Sequence, residues 1–172
     1  MKRKVLVAYA TKYGATAEIA EKIGETLQEA GLQAEVLPVE QVHDLAPYEA
    51  VVLGSAVYAG RWRREAATFL RTHEEALAQR PVWLFSTGPT GEGDPVQLMQ
   101  GWRFPEDLQP VAERIAPRDI AFFHGALDPG KLNLGERLVI HALKAPTGDY
   151  RDWEAIAAWA AGIAQALKDA GP

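Results

Sequence analysis

Six residues, Thr11-Lys12-Tyr13-Gly14-Ala15-Thr16, separate a short apolar run from a segment with helical periodicity, and this junction constrains the fold more than any other feature of the chain. The run before it, Lys4 to Ala10 (KVLVAYA), is apolar almost without alternation, as expected of a strand covered on both faces. After it, Ile19, Ala20, Ile23 and Leu27 recur at helical spacing between Ala15 and Ala30, with Gly31 as a stop. Further strand-like runs occupy Ala34–Val39, Ala50–Ser55, Val82–Ser86 and Ile120–Phe123. Helical patterns lie between them at Arg64–Ala78 and Glu106–Ile115, and a last one spans Trp153–Lys168. The alternation predicts a five-stranded parallel sheet between two helical layers, an α/β three-layer sandwich. No repeat, low-complexity tract or linker interrupts it, so residues 1–172 read as one domain.

Composition narrows the function. A chain of 172 residues with 48% hydrophobic and 24% charged residues can bury a core without cross-links. The absence of cysteine excludes disulfides, thiol catalysis, iron–sulfur ligation and thiolate zinc sites, so redox chemistry would need a bound cofactor. A net charge of -5 argues against broad nucleic-acid affinity and favours small molecules or proteins as partners. Met1 to Lys4 lead straight into an apolar run too short for a signal sequence or a membrane span, which sets a cytoplasmic expectation.

The opening loop suits a phosphate monoester. Such a group carries nearly two negative charges and needs a ring of donors, which backbone N–H groups at a helix start supply. Thr11 and Thr16 add hydroxyls from either end, and Gly14 permits a tight turn. The alternative reading makes Thr16 a helix cap and Gly14 an ordinary turn residue. Neither G-x-G-x-x-G nor G-x-x-x-x-G-K-[ST] is present at this position, leaving a mononucleotide as the better fit.

Tyr9, Thr11, Gly14, Thr16, Ala20 and Ile23 stand at the spacing of the flavodoxin signature, and on these residues the chain resembles the flavodoxins. Ala8 departs from the larger apolar residue usual there. The resemblance implies a flavodoxin-like sheet of order 2-1-3-4-5 and flavin mononucleotide (FMN) as cofactor. It also implies that the loops after the third and fourth strands, Gly54–Gly60 and Ser86–Asp94, hold the isoalloxazine ring. The candidate cofactor-binding residues are therefore Thr11, Lys12, Tyr13, Gly14, Ala15 and Thr16, then Ala56, Val57, Tyr58, Ala59 and Gly60, then Ser86, Thr87, Gly88, Pro89, Thr90 and Gly91.

These loops also suit a flat apolar tricycle with a polar edge. Tyr58 and Trp62 offer aromatic faces; the alternative for Tyr58 is an aromatic residue that closes a strand, and for Trp62 packing on the following helix. Glycines, including Gly54, let main-chain donors approach the ring. Arg61, Arg63 and Arg64 gather at an expected helix start, where cations oppose the dipole, so an anionic group is expected to offset them unless their heads are simply solvated.

Between the fifth strand and the last helix comes an excursion, Ala126 to Arg151, with an apolar helical stretch at Leu132–Leu143. Arg137, His141 and Lys144 share one face of it and Lys131 precedes it, which makes residues 131–144 a candidate lid, partner surface or peripheral membrane contact, with plain packing as the alternative. Together with the junction Thr147-Gly148-Asp149-Tyr150-Arg151-Asp152-Trp153-Glu154, this insertion resembles the menaquinone-dependent protoporphyrinogen oxidases. The third-strand loop reads Tyr58-Ala59-Gly60 where those oxidases tend to carry arginine–tyrosine–glycine. That likeness implies a tetrapyrrole substrate, a quinone acceptor, a place at the inner face of the membrane, and Arg61, Arg63 or the insertion helix meeting propionates or headgroups. The alternative is a flavodoxin-type carrier serving protein redox partners. At the junction, Asp152 is expected to cap the last helix and Trp153 to fill core.

No acid–base dyad, serine triad or metal cluster is evident, and His43, His73, His124 and His141 are dispersed, so no catalytic side chain and no metal is assigned. A phosphate-accepting receiver of similar topology is set aside, because the first strand ends in Tyr9-Ala10-Thr11 without paired acids.

Overall fold

In the computed structural model, which describes residues 4–144 and 146–170, alternate residues of β1 (Lys4–Ala10) enter two separate cores. Leu6, Ala8 and Ala10 face one core and Val5 and Val7 the other. This period of two is what a strand buried on both sides must show. The lead-in residues Met1–Arg3 lie outside the described residues.

The chain continues through α1 (Ala15–Glu29), β2 (Gln33–Pro38), β3 (Ala50–Tyr58), β4 (Arg61–Trp62), α2 (Arg64–Thr72), α3 (Glu74–Ala78) and β5 (Val82–Thr87). It then forms α4 (Pro95–Leu98), α5 (Gln109–Ile115), β6 (Asp119–Phe123), β7 (Ala126–Leu127), α6 (Leu134–Leu143), β8 (Gly148–Asp149) and α7 (Trp153–Asp169). The five long strands run parallel in the order β2-β1-β3-β5-β6, which is 2-1-3-4-5 counted among themselves. On one face, Ile19, Ile23 and Leu27 of α1 and Ile156, Ile163 and Leu167 of α7 cover Val5, Val7 and Val52. On the other, Phe69 and Leu70 of α2 and Val111 and Ile115 of α5 cover Leu6, Leu53 and Leu84. The α/β three-layer expectation therefore matches the structure.

Four local readings are corrected. The helix expected over Arg64–Ala78 is two helices, interrupted at His73 (φ -101°, ψ 16°). The chain after β3 turns back as a hairpin, pairing Val57 with Trp62 and Tyr58 with Arg61 through left-handed Ala59 (φ 51°) and Gly60 (φ 74°). Positive φ at both central residues gives the strand-matching twist of a tight hairpin. Trp153 is not core: it is partly exposed, and the Arg151 guanidinium lies over its ring at 4.8 Å. Gly54 serves packing rather than ligand approach, since a Cβ there would stand 2.1 Å from the Phe85 ring on the neighbouring strand.

The excursion departs through β7 and returns through β8, which pair antiparallel. Asp152 does cap α7, its carboxylate accepting from the Ala155 N–H at 3.0 Å.

Candidate cofactor site

Because β1, β3 and β5 are parallel neighbours, the loops that follow them emerge at one end of the sheet. They surround a cavity of about 1080 Å³, mostly apolar in its lining. Thr11, Tyr13, Ala15 and Thr16 line it from the first loop, Ala56, Val57 and Tyr58 from the second, and Thr87, Gly88, Pro89, Thr90 and Gly91 from the third.

At the first loop the Thr11 hydroxyl accepts from the Gly14 N–H at 3.0 Å, closing the turn. Gly14 takes φ 93° at the start of α1, where it is the cap residue with no side-chain cap. The reading of Thr16 as the cap is thus replaced: Thr16 is buried, and its hydroxyl lies 2.8 Å from that of Thr87. This contact ties the first loop to the third. The first intrahelical bond of α1 runs from the Glu18 N–H to the Gly14 carbonyl, so the amides ahead of Glu18 in the first turn have no acceptor within the helix. Free amides, a positive helix end and a hydroxyl beside them fit a phosphate, and open apolar walls fit a flat ring. The residues present are compatible with FMN.

Other candidates do not line the cavity. Ser86 is fully buried and accepts from the Trp62 indole N–H at 2.8 Å, while Trp62 is itself buried edge-on against Phe104, with ring centroids 5.2 Å apart. Trp62 is therefore turned into the core and presents no face to a ligand. Gly14, Ala59 and Gly60 shape the turns without lining the space. Arg61 is exposed opposite Tyr58 on the hairpin. Arg63 bonds Glu65 in the first turn of α2, Nε to Oε2 at 2.8 Å. Burial works against charge on Glu65, but the Arg63 hydrogen bond, a backbone bond and the two arginine charges outweigh it and lower its pKa. For Arg63, the carboxylate at this helix start is Glu65 of the chain itself.

The insertion supplies a fourth wall. Gly135, Glu136, Val139, Ile140 and Leu143 of α6 line the cavity, together with Leu132 and Asn133 just before it. Arg137 and His141 point elsewhere: Arg137 Nε donates to the Pro129 carbonyl at 2.9 Å, and His141 is exposed. Leu134 and Leu138 share that outer face and are 75% and 63% exposed. Glu136 reaches the first loop, accepting from Lys12 Nζ at 2.6 Å and from the Tyr13 hydroxyl. Its other oxygen accepts from the Asn133 N–H at 3.1 Å, and the Asn133 side chain accepts from the Glu136 N–H at 2.8 Å, a reciprocal helix cap. The Lys12 bond, followed by the Tyr13 and Asn133 bonds, holds the Glu136 carboxyl down at about 2.

His124, one of the dispersed histidines, is buried with its ring nitrogens 3.1 Å from the Pro89 carbonyl and 2.5 Å from that of Gly93. It braces the third loop from behind. Glu92, Leu98, Met99, Gly125, Leu127 and Pro146 also line the cavity, and sequence reasoning does not single them out. The apolar spacing of Val139, Ile140 and Leu143 is the available signal for the fourth wall. No group of three metal-ligating side chains occurs among the described residues.

The flavodoxin domain family matches residues 6–154. The chain belongs to that family. Membership indicates FMN as cofactor, in agreement with the cradle at α1. The chain is 26% identical to protoporphyrinogen IX dehydrogenase [quinone] of Escherichia coli K12 over 182 residues, covering 94% of each protein. A flavodoxin from the domain Archaea superposes with a TM-score of 0.61 at 14% identity, over 96% of this chain and 99% of that one. Oxidised flavodoxin 1 from Bacillus cereus also gives 0.61, at 13% identity, over 94% of this chain and 97% of that one. These two likenesses show the flavodoxin fold.

Proposed function

We propose that this flavodoxin-domain protein is an FMN-dependent oxidoreductase of the protoporphyrinogen dehydrogenase type, passing electrons from a tetrapyrrole through FMN to a quinone. The observation that carries the reading is the fourth wall: α6 extends the cavity beyond the three loops with Val139, Ile140 and Leu143, giving an apolar ring compound space beside the flavin. The similarity to the E. coli dehydrogenase along 94% of the chain supports the same reaction class.

In this reading Thr11, Tyr13, Ala15 and Thr16 bind the phosphate, while Lys12 and Gly14 shape the loop around it. Ala56, Val57, Tyr58 and residues Thr87 to Gly91 hold the ring, and Ser86, Ala59 and Gly60 support those loops from outside the cavity. FMN supplies the hydride and electron chemistry, and the chain positions it. Arg61, exposed beside Tyr58, is the basic residue placed to meet a substrate carboxylate at the rim. The outer face of α6, with Leu134 and Leu138 among Arg137, His141 and Lys144, suits an anionic membrane surface at the inner face of the membrane. No helix among the described residues is long and apolar enough to cross a membrane.

The second reading is an electron carrier between proteins, favoured by the net charge of -5, which suits basic redox partners. FMN titration of apoprotein tests the cofactor. Anaerobic turnover with protoporphyrinogen and a quinone tests the reaction: substrate oxidation supports the enzyme, and a flavin that cycles without oxidising it supports the carrier.

A further inference from the structure

We propose that Glu136 is a positioning residue that holds α6 closed over the cavity by gripping the phosphate loop, and thereby sets how fast FMN leaves. The inference rests on the FMN reading and concerns its retention.

Helix α6 has no fully buried residue, so packing alone anchors it weakly. Its fixed points are polar. Glu136 Oε2 accepts from Lys12 Nζ at 2.6 Å and from the Tyr13 hydroxyl, and Lys131 Nζ donates to the Tyr13 carbonyl at 3.3 Å. All three contacts join the insertion to the loop at the start of α1, more than a hundred residues away in sequence. Tyr13 and Glu136 both line the cavity, so the catch closes at its phosphate end.

The arrangement makes the catch reversible. Lys12 and Glu136 keep 42% and 25% of their side-chain surface exposed, and such pairs are weak and screened by salt. Glu136 also neutralises Lys12, so the phosphate meets amides and hydroxyls rather than a free cation. Opening breaks the Oε2 contacts and the Lys131 bond to the Tyr13 carbonyl, while Oε1 stays on the Asn133 N–H and preserves the helix cap. The helix then swings away without unravelling.

The test is FMN release from reconstituted protein, followed by recovery of free-flavin fluorescence after dilution far below the dissociation constant. Glu136→Gln removes the charge while keeping a side chain that completes the helix cap. We expect it and Lys12→Met each to speed release about five- to tenfold, the scale of a lost charge-assisted hydrogen bond. The double variant should release FMN no faster than the quicker single one. Salt should accelerate release from the native protein and not from Glu136→Gln. Native release rates in both single variants, or additive effects in the double, overturn the proposal. Failure of native apoprotein to take up FMN would sink the cofactor reading instead. The catch is then read from amide hydrogen exchange of α6 in apoprotein, where exchange unchanged by Glu136→Gln overturns it and faster exchange upholds it.

Discussion

The indole N–H of Trp62 donates to the Ser86 hydroxyl at 2.8 Å, joining the short antiparallel strand β4 to the end of β5 in the interior of the protein. Trp62→Phe keeps most of the ring volume but leaves Ser86 without its donor. The loss should cost about 1–3 kcal/mol, read from urea unfolding. FMN affinity should change little, since neither side chain lines the cavity.

The Thr16 and Thr87 hydroxyls make the corresponding link between the first and third loops, and here the cavity is involved. Thr16→Val keeps the shape and removes the donor nearest the free amides of α1. FMN affinity should fall about tenfold or more, the scale of a hydrogen bond to a charged group. Fluorescence titration of the apoprotein measures it.

Gly54→Ala should be poorly tolerated. Its Cβ meets the Phe85 ring at 2.1 Å between two central strands, and the ring has no room to retreat from the core around Phe123 and Trp159. Overpacking of this kind costs about 1–3 kcal/mol, visible as a lower urea midpoint with an unchanged slope.

Ala59 takes φ 51° in the hairpin turn, a conformation that favours glycine. Ala59→Gly should stabilise the protein by about 0.5–1 kcal/mol, the relief of left-handed strain less the entropy of an added glycine. Thermal unfolding checks the sign.

Glu136 should titrate near 2 by carboxyl NMR, against an ordinary value of 4.5. A depressed folded pKa means that the stabilisation from its bonds to Lys12 and Tyr13 is complete above about 4.5 and fades as pH falls through about 2. In Lys12→Met the titration should move back toward the ordinary value.

The sheet and its helices were legible because their signals are local and periodic: the apolar β1 run and Ile19, Ile23 and Leu27 at helical spacing dictate burial directly. The convergence of three loops followed from parallel strands alone. The β4 hairpin was not legible, since Ala59-Gly60 lacks the asparagine or aspartate that advertises such a turn. Trp62 gave no indication of direction, because an aromatic beside a flavin loop reads alike whether it faces in or out. Glu136 and His124 were missed for a different reason. Their partners, Lys12 and Tyr13 in one case and the Pro89 and Gly93 carbonyls in the other, are distant in sequence, and only the folded chain brings them together.

The β7–β8 ladder gives the insertion a single neck. The described residues between Asp128 and Thr147 join the frame through these two adjacent strands, with Arg151 clasped to Asp149 and to the Ala15 carbonyl at the base. Such an appendage is free to lengthen, shrink or be exchanged at small entropic expense while the five-strand frame keeps its shape. What sits over the flavin end can therefore diversify wherever the Glu136 and Lys131 contacts to the first loop are kept.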